Sequence, residues 1–334
     1  HNTLLVDGQG PVNATPGVLE NPVDATALRA GDITSQYGGV DLRRTLLLAD
    51  GRYVVIADDV KADAEHEYQW QVHTPVSREG GGVAIEGNRA TWTGFDPRSG
   101  NPGKVSVQAT WAGPVGLATM DKSRWQPYDP DPVNGSYDNW AIVAKRKSGS
   151  VRYLAALCPY PTGSEVPAVE TPQATGGLAL TVTEGPVTDT FLAAEGPEVS
   201  LGALKSTART VAVRLRDGQV ERVYQNGPGR VEHGGRRLCE IAGTQTGAVA
   251  LQMAALTEGP VRRRGFVCGP AGMVTSVSAE VADGPVFFRG PDGAWQELVR
   301  ERKGEGVSVT LPVDLTQSAP VVVMAEGQTP SVDR

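Results

Sequence analysis

The sequence predicts an all-β protein: a large antiparallel β-sandwich followed by a second, smaller β-sandwich region. Three observations predict it. Short segments alternate apolar and polar residues with period two; the segments between them are dense in turn formers, with 41 Gly and 24 Pro in 334 residues; and no long stretch carries a helical period. The length suits one large or two ordinary domains. Pro159, Pro161, Pro167 and Pro172 fall in a stretch with no hydrophobic period. That stretch predicts a β-sandwich domain over 1–160, a Pro-rich linker over 161–177 and an antiparallel β domain over 178–334.

In order, Leu4–Val6 reads as a strand closed by Asp7-Gly8, and residues 10–31, with Pro11, Pro16 and Pro22, as a long irregular loop. Leu42–Ala49 and Tyr53–Ala57 are two apolar strands around Asp50-Gly51, a dipeptide that accepts the positive φ of a type I′ hairpin turn. Asp58 and Asp59 read as a solvated strand end. Glu67–Thr74 alternates, with Tyr68, Trp70 and Val72 on one face and Gln69, Gln71 and His73 on the other. Val83–Ile85, Ala90–Trp92 and Val105–Trp111 follow, the last placing Val105, Val107, Ala109 and Trp111 together. Residues 121–139 are polar, Pro-rich and aromatic, and predict a loop. Trp125, Tyr128 or Tyr137 could stack there on sugar rings; surface cover over a sheet is the plainer role. Trp140–Lys145 and Val151–Leu157 are expected to pair as a hairpin around residues 147–150.

In the second half, Leu178, Leu180 and Val182 alternate, as do Val211, Val213 and Leu215, with Asp217-Gly218 turning the chain into Val220–Tyr224. Strand candidates continue to Val307–Leu311. Glu184-Gly185-Pro186-Val187 recurs as Glu258-Gly259-Pro260-Val261 and as Asp283-Gly284-Pro285-Val286. The uneven spacing marks reused turn chemistry rather than a solenoid or propeller. Arg236-Arg237 and Arg262-Arg263-Arg264 suit solvated strand edges, or a patch for a sulfated or uronic polymer. Cys158, Cys239 and Cys268 allow at most one intramolecular disulfide; Cys239 with Cys268 is one option, and buried free thiols are the other.

A net charge of −7 argues against a general nucleic-acid surface, and binding of an acidic polymer needs a local basic patch. No apolar run of about 20 residues predicts a membrane span. The chain opens without a signal peptide, in the middle of a strand motif, which suggests a mature or cut fragment.

Three residues could ligate a metal from strand-like segments: His1, Asp32 in Gly31-Asp32-Ile33-Thr34-Ser35-Gln36-Tyr37, and His73 in Tyr68-Gln69-Trp70-Gln71-Val72-His73-Thr74. Two imidazoles and a carboxylate suit tetrahedral zinc with one open position. Spacing adds little, because no His-x-x-x-His or Cys-x-x-Cys pair is present. A surface histidine, an Asp in a Gly-Asp turn and a strand-end histidine explain the same residues. Glu20 or Asp24 could compete with Asp32.

"HNTLLVDGQG", then "GDITSQYGGVDLRRTLLLADGRYVVIADDV" and "YQWQVHT", resemble the start of the C-terminal β-sheet region of heparinase II/III-like polysaccharide lyases, a pattern that related alginate lyases share. The ordered blocks cover residues 1–75 and continue loosely to Arg152–Pro161. The resemblance implies β-elimination on a uronic-acid polysaccharide, glycosaminoglycan- or alginate-like, in a periplasmic or secreted protein. That reaction removes the proton α to a carboxylate and expels the glycosidic oxygen. The resemblance places the Tyr and His acid and base on an N-terminal helical toroid, a partner domain. It therefore assigns no catalytic residue here and expects the fragment alone to be inactive. It implies His1, Asp32 and His73 as metal ligands, with zinc the expected ion and calcium or no metal as alternatives. Tyr37 and Arg44 would support that site or the packing, and Trp125 and Tyr128 would face substrate. The competing reading is a non-catalytic carbohydrate-binding or scaffold sandwich. A copper brace built on an N-terminal His1 and His73 is a third.

Overall fold

In a computed structural model, the residues described are 3–11, 16–25, 28–77, 82–96, 101–121, 137–241, 248–255, 261–269, 274–277, 284–303, 306–312, 315–324 and 329–330. Among them there is no helix, and the strands pair antiparallel. The chain divides into two compact units, His1–Leu19 with Asp32–Pro172 and Glu20–Gly31 with Gln173–Arg334.

The strands up to Pro161 are β1 (Leu4–Val6), β2 (Val18–Ala25), β3 (Leu28–Tyr37), β4 (Val40–Ala49), β5 (Tyr53–Ala62), β6 (His66–Ser77), β7 (Val83–Glu86), β8 (Arg89–Phe95), β9 (Pro102–Trp111), β10 (Gly116–Asp121), β11 (Tyr137–Ser148) and β12 (Val151–Pro161). They form a four-stranded sheet, β1-β6-β11-β10, and an eight-stranded sheet, β2-β3-β4-β5-β12-β9-β8-β7. Leu4, Tyr68, Trp70, Val72, Trp111, Ile142 and Tyr153 pack in one core between them. Trp70 and Trp111 meet edge to face, 5.5 Å between ring centroids at 88°, a favoured aromatic geometry.

The alternation read in the sequence for β6 is the one observed, and the two apolar strands Leu42–Ala49 and Tyr53–Ala57 fall within the paired β4 and β5. Asp50 and Gly51 turn at φ 51° and 66°, and the Arg52 N–H donates to the Ala49 carbonyl at 2.9 Å. Three expectations change. The stretch read as a loop over 10–31 contains β2 and the start of β3. Its pattern is hidden by Pro22 and by Asn21 at φ 49°; β2 is an edge strand, where a proline's missing N–H breaks no ladder bond. Val105 is 51% exposed rather than sharing the core with Trp111. Finally, β11 and β12 are not a hairpin. β11 pairs with β6 and β10, whereas β12 pairs with β5 and β9, so residues 148–151 carry the chain from one sheet to the other. The Tyr68 hydroxyl holds this crossing by donating to the Gly149 carbonyl.

The Pro-rich stretch is not a free linker. Pro159 and Pro161 pair with β9 inside β12. Beyond them, Arg89 donates to the Val169 carbonyl at 2.6 Å, Gln108 to that of Pro167 and Asn88 to the Thr171 hydroxyl. The chain is thereby strapped across β8 and β9 as far as the end of the first unit.

The later strands are β13 (Ala168–Glu170), β14 (Gly177–Glu184), β15 (Val187–Ala194), β16 (Val199–Leu201), β17 (Leu204–Ser206), β18 (Thr210–Arg216), β19 (Gln219–Asn226), β20 (Gly229–His233), β21 (Arg236–Ile241), β22 (Ala248–Ala255), β23 (Val261–Gly269), β24 (Val274–Val277), β25 (Val286–Arg289), β26 (Trp295–Glu297), β27 (Arg300–Lys303), β28 (Gly306–Thr310) and β29 (Leu315–Met324). They form a ten-stranded and a seven-stranded sheet, so the second β region is not the smaller one. Its cores gather Leu192, Val211, Val213, Val223, Val231 and Leu238, and separately Phe288, Val309, Val321 and Val323.

The repeated Gly-Pro turns serve different needs. Gly185 takes φ 56° in the β14–β15 hairpin. At Gly284 a Cβ would lie 1.7 Å from the Met324 carbonyl oxygen, so that glycine answers to close backbone approach. Cys239 is a free buried thiol donating to Gln225 Oε1 at 2.9 Å, so it forms no disulfide with Cys268. Cys158 is also free and buried, and burial pushes its pKa up to about 12.

Candidate functional site

β6 positions the residues on which the sequence reading turned. Its register is unbroken along β11, from His66 opposite Ser148 to Ser77 opposite Tyr137, and β1 flanks its other edge with Leu4 opposite Trp70. Tyr68, Trp70 and Val72 therefore enter the core. Gln69, Gln71 and His73 point to the opposite face of the four-stranded sheet.

Behind Trp70 lies a buried charged cluster. Asp58 is 2% exposed. It accepts from Arg44 Nε at 2.8 Å, from Arg44 Nη2 at 2.7 Å and from Trp70 Nε1 at 2.7 Å. The Arg44 guanidinium also stacks 5.5 Å from the Trp70 ring. Burial disfavours the Arg44 charge, but the Asp58 carboxylate outweighs it and holds the guanidinium pKa above its usual value. Tyr37 closes the cluster by donating to the Leu4 carbonyl at 2.6 Å, and burial raises its hydroxyl pKa. Tyr37 and Arg44 thus tie β1, β3, β4, β5 and β6 together from inside. Asp58 is not a solvated strand end: it shares the core-facing side of β5 with Ile56 and Val60. That phase was legible in the sequence, but nothing in it announced the partners.

Asp32 lies elsewhere. It is 0% exposed and its oxygens accept from Thr45 Oγ1 at 2.7 Å and Arg43 Nη1 at 2.9 Å. Val40, Leu42 and Arg44 face the core on β4, so Arg43, Thr45 and the Asp32 carboxylate between them are on the other side of the eight-stranded sheet. His73 points away from the same core on the four-stranded sheet. Asp32 and His73 are therefore separated by the thickness of the sandwich and do not converge on one ion. His1 lies outside the described residues, as do Trp125 and Tyr128. Among the described residues no group of three His, Cys, Asp or Glu is placed to hold a metal. The competing Asp24 is an exposed partner of Arg29 at 2.9 Å. An Asp32→Asn variant is expected to lose about 2–3 kcal/mol of stability through the weakened Arg43 contact, with no change in metal content. Denaturant unfolding beside elemental analysis measures both, and a drop in bound metal would return Asp32 to the ligand set.

At the β1 end, Asp7 accepts from the Glu67 N–H at 2.9 Å and sits 2.7 Å from His66 Nδ1. The bond to His66 comes first, then that to Glu67, in holding the Asp7 carboxyl below its ordinary pKa. In the second unit, Arg237 pairs with Glu240 and Arg230 with Glu232 at 3.2 Å, the pattern of a solvated, charge-laced sheet face. The side chains of Arg262, Arg263 and Arg264 lie outside the described residues.

A family model described as Heparinase II/III-like, C-terminal, matches residues 1–125. No curated protein matches the chain. Among solved structures, the heparan sulfate lyase HepC from Pedobacter heparinus is similar at 17% identity over 59% of this chain and 30% of that chain, with a TM-score of 0.45. A structure of heparinase III is similar at 15% identity over 57% of this chain and 29% of that chain, with a TM-score of 0.43. The chain spans about 30% of the length of these lyases. Its first 125 residues, with the β1–β6 pairing and the Asp58 cluster at their centre, are the part that matches the heparinase II/III-like C-terminal family model.

Proposed function

We infer that this chain is the β-sheet portion of a polysaccharide lyase that cleaves a uronic-acid polymer by β-elimination, in the periplasm or outside the cell. The observation that supports this most is the match of residues 1–125 to the heparinase II/III-like C-terminal family model. In this reading the chain supplies one wall of a substrate cleft. The proton-transferring residues come from a helical partner domain, because the reaction needs a base for the α-proton and an acid for the leaving oxygen on one sugar. Asp58, Arg44, Tyr37 and Trp70 keep β6 in a fixed position, so that His73 is presented from a rigid strand rather than from a loop. The three-ligand zinc centre of His1, Asp32 and His73 does not fit the placement of Asp32, whose carboxylate is held by Arg43 and Thr45.

The test is to offer the purified chain heparan sulfate, alginate and neutral dextran. Expected are retention on an acidic polymer, none on dextran, and no unsaturated uronate by ultraviolet absorbance. Strong product formation by these residues alone would show that the acid and base are in this chain and sink the division of labour. Retention on neutral polymer only would move the non-catalytic binding module ahead.

A further inference from the structure

β1 is three residues long and lies at the edge of the four-stranded sheet. Its far end is fastened by Asp7, which opens the next turn at φ 49°. The Asp7 N–H donates to the Glu67 carbonyl at 2.9 Å, Oδ1 accepts from the Glu67 N–H at 2.9 Å, and Oδ2 lies 2.7 Å from His66 Nδ1. The carboxylate thus keeps a proton on Nδ1, whether the ring is neutral or cationic. The His66 side chain is 17% exposed. A Cβ built at Gly39, in the β3–β4 turn, would lie 3.9 Å from His66 Nε2, and the Tyr68 ring is 6.1 Å away. The charged groups around the pair are Glu65 and Glu67, which flank His66, and Lys147 on β11, 3.0 Å from Glu65. Ser148 stands opposite His66, and the β3–β4 turn brings Gly38 and Gly39. Among these side-chain types only an imidazole changes charge between about pH 5 and about pH 8. Asp7 stays ionised over that range, because the bonds from His66 and Glu67 hold its carboxyl below the ordinary value.

We propose that His66 and Asp7 form a pH-sensitive clasp that holds β1 against β6 more tightly in acid than in mildly alkaline solution. With the ring protonated, the bond to Asp7 joins opposite charges; with the ring neutral, the same Nδ1–H donates without that attraction. The added hold is complete in acid and is lost as the pH rises and the ring gives up its proton. The clasp stands whether or not the chain binds a polysaccharide. Amide hydrogen exchange of the whole chain at about pH 5 and about pH 8, corrected for intrinsic exchange, tests it. The amides to follow are those at positions 7 and 71, which donate across the β1–β6 pairing to the Glu67 and Thr3 carbonyls. In the wild type their protection should be about threefold higher at the acid pH, the scale of a partly exposed ion pair. Asp7→Asn keeps the turn, since Asn tolerates a positive φ, and His66→Asn sets an amide donor where Nδ1 stands; each removes the charge pair. In both variants the difference between the two pH values should vanish, while the amides of Val143 and Ala144 on β11 keep their wild-type protection. Equal protection at both pH values in the wild type, the same pH difference on β11, or a difference that survives in either variant overturns the clasp. The wild-type comparison of β1 with β11 needs neither variant to fold.

Discussion

Replacing Asp58 with alanine is expected to destabilise the first unit by about 3–5 kcal/mol, the cost of leaving one partner of a buried ion pair without the other. Asp58 is 2% exposed and the Arg44 side chain 13%. Three donors converge on that one carboxylate, two from Arg44 and one from Trp70. Without it the guanidinium stays inside a sandwich core with its counter-charge gone, and the Trp70 N–H loses its acceptor. A shift of this size lowers the melting temperature of a unit this long by roughly 10 °C. Five of the six tryptophans precede Pro172, so intrinsic fluorescence follows this unit. The double variant Arg44→Met with Asp58→Leu should recover much of the loss, because an apolar pair of similar volume replaces a desolvated one. If Asp58→Ala melts within a degree or so of the wild type, the cluster does not hold β4, β5 and β6 together as argued.

Asp189→Ala is expected to cost the second unit at least as much, about 4 kcal/mol or more. Asp189 accepts from Arg214 Nε at 2.8 Å and Nη2 at 2.5 Å, and Arg222 Nη2 lies 3.5 Å away. All three residues are 4–5% exposed. They stand on adjacent strands β15, β18 and β19, so removing the carboxylate sets two buried guanidiniums side by side across the middle of the ten-stranded sheet. Tryptophan fluorescence reports this unit poorly, and amide hydrogen exchange at Thr190, Val213 and Val223 is the better measure. Protection there should fall by several orders of magnitude, while protection at Trp70 and Val72 is unchanged. Equal loss in both regions would mean that the substitution acts on the whole chain and not through this cluster.

The sequence determined most of the strands and, where it alternates, which face each residue shows, because a period of two survives in any pairing; it missed β2 and the start of β3, whose pattern Asn21 and Pro22 hide. Tyr68, Trp70 and Val72 entered the core as their alternation required, and Asp50-Gly51 turned as its φ preference required. The family blocks in residues 1–75 were likewise readable from order and residue type. The pattern could not say which strands meet, since alternation is the same whether a turn folds back into one sheet or crosses to another. That is why β11 and β12, separated by only Gly149 and Ser150, lie in different sheets. Nor could it say which polar residue is buried against which. Asp58 and Asp32 both looked like strand-end or turn carboxylates. Each is instead neutralised by an arginine from β4, on opposite faces of one strand, and only the third dimension separates Arg43 from Arg44. Partner choice depends on contacts between residues distant in sequence, so the tertiary structure alone decided that Asp32 pairs with Arg43 and Thr45 and faces away from His73.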